Sequence, residues 1–308
     1  MLRCPARILP NPVNPSMRLC ILSSPATVLA ASFLLGACST GQIVARGAAP
    51  LIDHGVTAMN RETDLELARA SIPANIKMID ALLLADPGNV SYRVQAAMGL
   101  YGYAMGFVED SDPARAVHLY RRALDQTEVA LAAAGIAPGA LKGSSSDALD
   151  RALAKLDARA VPALFWAASS WAKWIELQLD DPARLAELPR VEALMRRVLA
   201  LDETYYHGSA QIFFGVYYGG RAPMFGGDFT RSAQHFDRAA QISGNQMLWV
   251  DVYRAKYLLR QMGDRAAFHA ALTGVVNAPA SAHPDLNLAN ALARQKAAAL
   301  LSQEEELF

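Results

Sequence analysis

Apolar and polar positions alternate along most of this chain with the period of an α-helix. Beyond Leu51, apolar residues recur at three and four, as at Ile76, Ile79 and Leu83, or at Leu119 and Ala123. That spacing gathers side chains on one helix face. No segment keeps the strict alternation of a strand for long. Breakers interrupt the pattern: Asp86-Pro87-Gly88-Asn89, Asp110 to Pro113, Gly135 to Ser146, Asp180-Asp181-Pro182, Gly219 to Asp228, Gly263-Asp264 and Ala278 to Pro284. Asp112-Pro113 and Asp181-Pro182 each set a capping carboxylate before a proline at the first helical position. The pattern predicts an all-α chain of roughly a dozen helices, mostly in antiparallel pairs.

The pairs carry traces of a tetratricopeptide repeat, two helices closed by a tail of the form Ala-Leu-x-x-Asp-Pro. Leu82 to Pro87 is such a tail, and Val198 to Glu203 is another with Glu203 in place of the proline. Gly227-Asp228 and Gly263-Asp264 stand where paired helices turn. Ser232, Phe236 and Ala239, and then Phe268, Leu272 and Val275, have the spacing of the second helix's packing positions. Loops at 135–146 and 219–228 are longer than the repeat allows. The expectation is a divergent tetratricopeptide-like array over 51–308, burying its core between stacked pairs and leaving a concave groove.

The first residues follow a different pattern. Leu19 to Leu35 is an apolar run containing Pro25, preceded by Arg18 and followed by the small residues Gly36 and Ala37. That is the order of a secretory signal, and it is short of the ~20 residues a spanning helix needs. Leu35-Gly36-Ala37-Cys38 matches a bacterial lipobox, in which the Cys thiol receives the lipid. Residues 1–37 are therefore expected to be a lipoprotein signal, with Met17 as the start, and Cys38 the lipid attachment. Residues 38–50, small and weakly patterned, read as a lipidated tether. Ser39 after the Cys favours outer-membrane sorting.

Composition narrows the chemistry. Cysteines occur at 4, 20 and 38, so the part after Cys38 has no disulfide, Cys-based metal site or Cys nucleophile. The formal charge is zero, and Arg3, Arg7 and Arg18 fall in the signal, which leaves the rest acidic by three charges. No basic tract points to nucleic acid. No second apolar run reaches membrane length, so the membrane is met through the lipid anchor only. His-Glu-x-x-His, Gly-x-Ser-x-Gly, Walker and Gly-x-Gly-x-x-Gly motifs are all missing. The six histidines form no i, i+4 pair. No catalytic residue, cofactor or metal is expected.

Two stretches stand out. Trp166, Trp171 and Trp174 are three of the four tryptophans, with Trp171 and Trp174 on one helix face. They are either helix-packing residues or the aromatic wall of a groove. Residues 205–228 bring Tyr205, Tyr217, Tyr218, Arg221, Phe225 and Asp228 together with two Gly-Gly pairs. They read either as an interhelix loop pinned by aromatics or as a rim or pore loop whose Arg221 meets a carboxylate. These nine residues are the candidate groove or pore. Gly102-x-x-x-Gly106 reads as a close helix contact.

Residues 161–166, 191–202, Tyr205 to Gly208, Gly215 to Tyr218, Pro223 to Asp228, 288–297 and Glu306-Leu307-Phe308 resemble the T-component lipoproteins of TRAP (tripartite ATP-independent periplasmic) transporters. The likeness runs over roughly 52–308 and is most specific at 205–228. Phe225, where members often have Leu, is a modest departure, as is the lack of an Asp before Val161-Pro162. The resemblance implies a periplasm-facing, lipid-anchored, non-catalytic accessory. It would associate with the periplasmic solute-binding protein of a TRAP system, handing over an apolar or carboxylate ligand. It also implies a homo-oligomer around a central opening. A scaffold lipoprotein of an envelope assembly complex is the alternative; it predicts a polar-walled peptide groove. An envelope hydrolase would need two carboxylates converging in a cleft, and the spacing singles out none.

Overall fold

Asp and Asn side chains start six of the α-helices. In the computed structural model, which describes residues 40–308, Asp64, Asn89, Asp112, Asp181, Asp228 and Asp264 each accept a hydrogen bond from a backbone N–H in the first turn that follows. These bonds satisfy donors that a helix start leaves unpaired. The fold is an all-α array, and no strand occurs among the described residues. No helix there is long and apolar enough to cross a membrane. The lipobox and Cys38 lie outside the described residues.

The expected tether is corrected from Thr40 onward. Helices span Thr40–Gly47 and Ala49–Asn60. Ala45 and Ile52 are buried in a small cluster with Ile79, Leu83, Tyr92 and Ala96. The Tyr92 hydroxyl donates to the Ala45 carbonyl, and Arg46 pairs with Asp86 at 3.0 Å. Two buried positions suffice because the surface they cover belongs to other helices, which a local reading of small residues does not include.

Leu65–Ala85, Val90–Phe107 and Pro113–Ala133 then pack in succession, each on the next. The stretch read as a long loop at 135–146 holds short helices, Ala140–Gly143 and the start of Ser146–Ala154. Arg190 donates to the Leu141 and Ser144 carbonyls, and Arg197 to those of Ala154 and Leu156. The helix Val161–Glu176 lies deep in the core. Thirteen of its residues are buried, as expected of a helix apolar nearly all round, and it packs on Pro113–Ala133 and Leu188–Leu201.

Tyr205–Gly219 pairs closely with Phe229–Ile242 because glycines remove side chains where they touch. A methyl at Gly215 would lie 2.7 Å from the Phe236 ring, and one at Gly219 would lie 2.5 Å from Ser232 Oγ. The packing positions Ser232, Phe236, Ala239, Phe268, Leu272 and Val275 are all buried as their spacing predicts. Beyond them, Trp249–Tyr253 runs into a π-helical stretch, Arg254–Leu259, and ends with Arg260–Met262. Arg265–Val276 and Asn287–Ser302 close the array, and Phe308 packs edge-on against Phe268 at 5.2 Å.

The two helical glycines at 102 and 106 play different parts. A methyl at Gly106 would meet Leu292 at 2.8 Å, the close contact that the spacing predicts. At Gly102 it would meet nothing within 4 Å. A third glycine is conformational. Tyr206, His207 and Gly208 take consecutive left-handed conformations, with φ of 48°, 58° and 78°. A methyl at Gly208 would also lie 3.0 Å from Ile242. Gly208→Ala is expected to cost about 2–4 kcal/mol, from the left-handed penalty plus overpacking. Gly102→Ala, with open space around it, should gain up to about 1 kcal/mol from helix propensity. Thermal denaturation of the two variants checks this; equal effects would refute it.

Candidate functional site

The helices enclose a cavity of about 820 Å³, within the size range of small-molecule sites. Its walls come from Ala49–Asn60, Leu65–Ala85, Val90–Phe107, Val161–Glu176 and Tyr205–Gly219, with contributions from Trp249, Tyr253, Tyr257 and residues 285–292. Most of the surface is apolar, lined by Ile72, Ile76, Ile79, Met98, Phe107 and Leu292 among others, and Gly102, also on the lining, has open space where a side chain would be. Leu51, Met78 and Leu179 also line it and are at least half exposed, so the cavity reaches solvent there.

Aromatic side chains form another part of the lining. Trp166 makes edge contacts with Tyr101 at 5.4 Å, Phe165 at 5.0 Å and Tyr206 at 5.0 Å. The left-handed turn sets the Tyr206 ring here, so the strain at 206–208 is held at the cavity wall. Non-glycine residues in this conformation cluster at sites where the surroundings over-determine them.

One end carries charge. Lys173, only 7% exposed, lies 3.1 Å from Glu109 and 2.8 Å from Glu176. Tyr120 donates to Glu109 at 2.5 Å, Tyr257 donates to Glu176, and Lys256 reaches Glu176 at 3.4 Å. The π-helical stretch carries Lys256 and Tyr257; such stretches are frequent at functional sites. Burial pushes the Lys173 ammonium down, but Glu176, Tyr257 and Glu109 outweigh it and carry it well above its usual value. Burial also opposes ionisation of Glu176, yet Lys173 and Lys256, with the hydrogen bonds from Lys173 and Tyr257, hold its carboxyl at about 2. Two carboxylates thus converge on one lysine. Glu176 is held ionised, the opposite of what a general acid for glycan cleavage requires.

Three of the nine sequence-predicted residues line the cavity: Trp166, Tyr217 and Arg221. Arg221 donates to the Tyr217 carbonyl at 2.9 and 3.1 Å and lies over the Tyr217 ring at 4.1 Å. Tyr217 in turn donates to Glu192 at 2.8 Å. Trp171 and Trp174 do share a face, but it is turned away from the cavity. Trp171 is fully buried and donates to Glu187 at 2.6 Å, and Trp174 lies beneath Arg184 at 4.4 Å. Tyr205 packs edge-on against Phe165. Tyr218 lies beneath Arg231 at 3.9 Å and stacks on His235. Asp228 caps Phe229–Ile242 and its N–H donates to the Tyr218 carbonyl. Phe225 is 73% exposed beside Met224 at 83%.

Sequence reasoning missed Lys173, Glu109, Glu176, Tyr101, Tyr253 and Tyr257. They come from four separate stretches, so no spacing announces them. One signal was present: Lys173 is the single charge in the apolar run from Val161 to Ile175, and a helix buried all round must pair such a charge. Among the described residues no group of three or more His, Cys, Asp or Glu could hold a metal ion.

No curated protein matches the chain. The model of the TRAP transporter T-component family matches residues 61–308, nearly the whole described body and every cavity wall except Ala49–Asn60. A helical body without a motif for chemistry, built around a largely apolar cavity, agrees with that match, and the chain belongs to the TRAP transporter T-component family.

Proposed function

We propose that this protein is the lipid-anchored, periplasm-facing accessory of a TRAP transport system, held at the outer membrane through Cys38. It contacts the system's solute-binding protein and receives an apolar ligand in the cavity. The helix pairs read as a divergent tetratricopeptide-like array, and the body works as a homo-oligomer. The observation that carries the ligand part is the cavity of about 820 Å³, walled mainly by Ile, Leu, Met and aromatic side chains. An apolar cavity of this kind favours the transport reading over the scaffold alternative, which needs a polar-walled peptide groove.

The contact with the solute-binding protein is assigned to the loop between Gly219 and Asp228. Met224 and Phe225 stand out from it as exposed apolar side chains. Gly226 has φ of 83°, and at Gly227 a methyl would collide with the Arg221 carbonyl, so the loop has a defined shape rather than a random one. A buried aromatic anchor is the commonest energetic centre of an interface. Tagged protein should retain the TRAP solute-binding protein from a periplasmic extract of its own organism, identified by mass spectrometry. A Met224→Ser, Phe225→Ser variant should lose it. Retention of envelope assembly subunits instead, or unchanged retention by the variant, would refute the contact.

A further inference from the structure

Within the cavity, polar groups are few and their hydrogen bonds are unevenly used. The Tyr101 side chain makes no hydrogen bond to any described residue, and the Tyr253 hydroxyl reaches only the Met105 thioether at 3.4 Å, a weak acceptor. The Tyr101 oxygen is not among the buried side-chain atoms sealed away without a partner. Both tyrosines line the cavity, and the Tyr101 hydroxyl, neither bonded nor sealed away, opens onto its space. Both phenols are raised chiefly by burial, and both feel Lys173, Glu109 and Glu176. Tyr101 packs on Tyr120 at 5.5 Å and Tyr253 on Tyr257 at 5.6 Å, the two phenols that donate to Glu109 and Glu176, so both sit at the charged end. Lys173 has three N–H donors, and both Glu109 oxygens and one of Glu176 lie within reach of them.

The charges at that end cancel: Lys173 and Lys256 against Glu109 and Glu176. A ligand carboxylate placed beside Tyr101 and Tyr253 would add an uncompensated negative charge next to two glutamates, in a site mostly walled by hydrocarbon. Burying an unpaired charge is far costlier than burying a hydrogen-bonded neutral oxygen. The other cation on the wall, Arg221, is engaged with the Tyr217 carbonyl and ring.

We infer that the cavity takes an uncharged amphiphile: an apolar chain or ring body against Ile76, Met98 and Leu292, with a neutral oxygen acceptor hydrogen-bonded by Tyr101 and Tyr253. This rests on the reading of the cavity as a ligand site and narrows the apolar ligand to alcohols, ketones, esters or amides.

The test uses the full chain carrying Cys38→Ser, so that no acyl anchor competes. The fluorescent apolar probe N-phenyl-1-naphthylamine reports the cavity, and 1-decanol, decanamide and decanoate displace it at pH 8. The neutral ligands should bind at least about tenfold more tightly than decanoate. Tyr101→Phe with Tyr253→Phe should weaken them about tenfold, the loss of two hydrogen bonds, while leaving the probe's own affinity unchanged. Gly102→Leu, which projects into open space, should abolish probe binding. Probe binding untouched by Gly102→Leu would sink the cavity reading itself. Decanoate binding as tightly as decanol, above all if Arg221→Met then removes it, would overturn the ligand class and leave the cavity standing.

Discussion

Lys173→Met is expected to lower stability by about 3–5 kcal/mol, the cost of leaving a buried ion-pair partner uncompensated. Methionine fills much the same volume, so the loss comes from charge and not from packing. It leaves Glu109 and Glu176 facing each other across the position of the ammonium. The signature is in the pH dependence. In the native protein the Glu176 carboxyl sits at about 2, below its ordinary value of 4.5. A depressed acid contributes stability above its unfolded pKa, and that contribution drains away as pH falls towards the folded one. Native stability should therefore fall between about pH 4.5 and 2. Lys173 is raised, so its share is fully present below its ordinary value of 10.5 and is lost at more alkaline pH. Removing the ammonium takes away the group that most depresses Glu176, so burial dominates and the carboxyl rises. The variant should then gain stability relative to the native protein as pH falls from 8 towards 5, a range over which native Glu176 stays ionised and adds no slope. Urea denaturation across that range decides it. A variant with the native pH profile, or one within 1 kcal/mol of native at pH 8, would show that the cluster is solvated after all.

Trp171→Ala is expected to cost a similar amount, about 3–5 kcal/mol, because the indole is fully buried and the structure around it collapses only in part. It also deprives Glu187 of the indole N–H, although Arg184 still pairs with that carboxylate at 2.8 Å. Affinity for the apolar probe should be unchanged in the folded fraction, since Trp171 does not border the cavity. Trp166→Ala, five residues earlier on the same helix, should lower stability and alter probe affinity together, because the Trp166 ring is part of the cavity wall. Denaturation and probe titration on both variants give the comparison. A Trp171→Ala protein of normal stability and altered probe affinity would reverse the assignment of the two faces.

Much of the fold was legible along the chain because helix starts and periodic faces are local facts. Asp112, Asp181, Asp228 and Asp264 cap the helices they precede, and the positions from Ser232 to Val275 chosen by spacing are buried. Where the reading failed, the missing partner was distant. Residues 40–50 look like a tether until Tyr92 and Asp86 are set beside them. Gly102 and Gly106 have the same local context, yet one meets Leu292 and the other empty space.

The sequence by itself determined the all-α class, the helix boundaries set by capping chemistry, the lipobox at Cys38 as an expectation, and the family resemblance concentrated at 205–228. The tertiary structure alone decided which of the three clustered tryptophans faces the cavity, and that Glu109, Lys173, Glu176 and Tyr257 form one cluster from two helical stretches and a loop. The reason is physical. Caps and amphipathic faces depend on neighbours within a turn or two of the chain. A cavity is defined by which faces fail to meet, and a buried charge by a partner up to 81 residues away, so both exist only once the helices have packed.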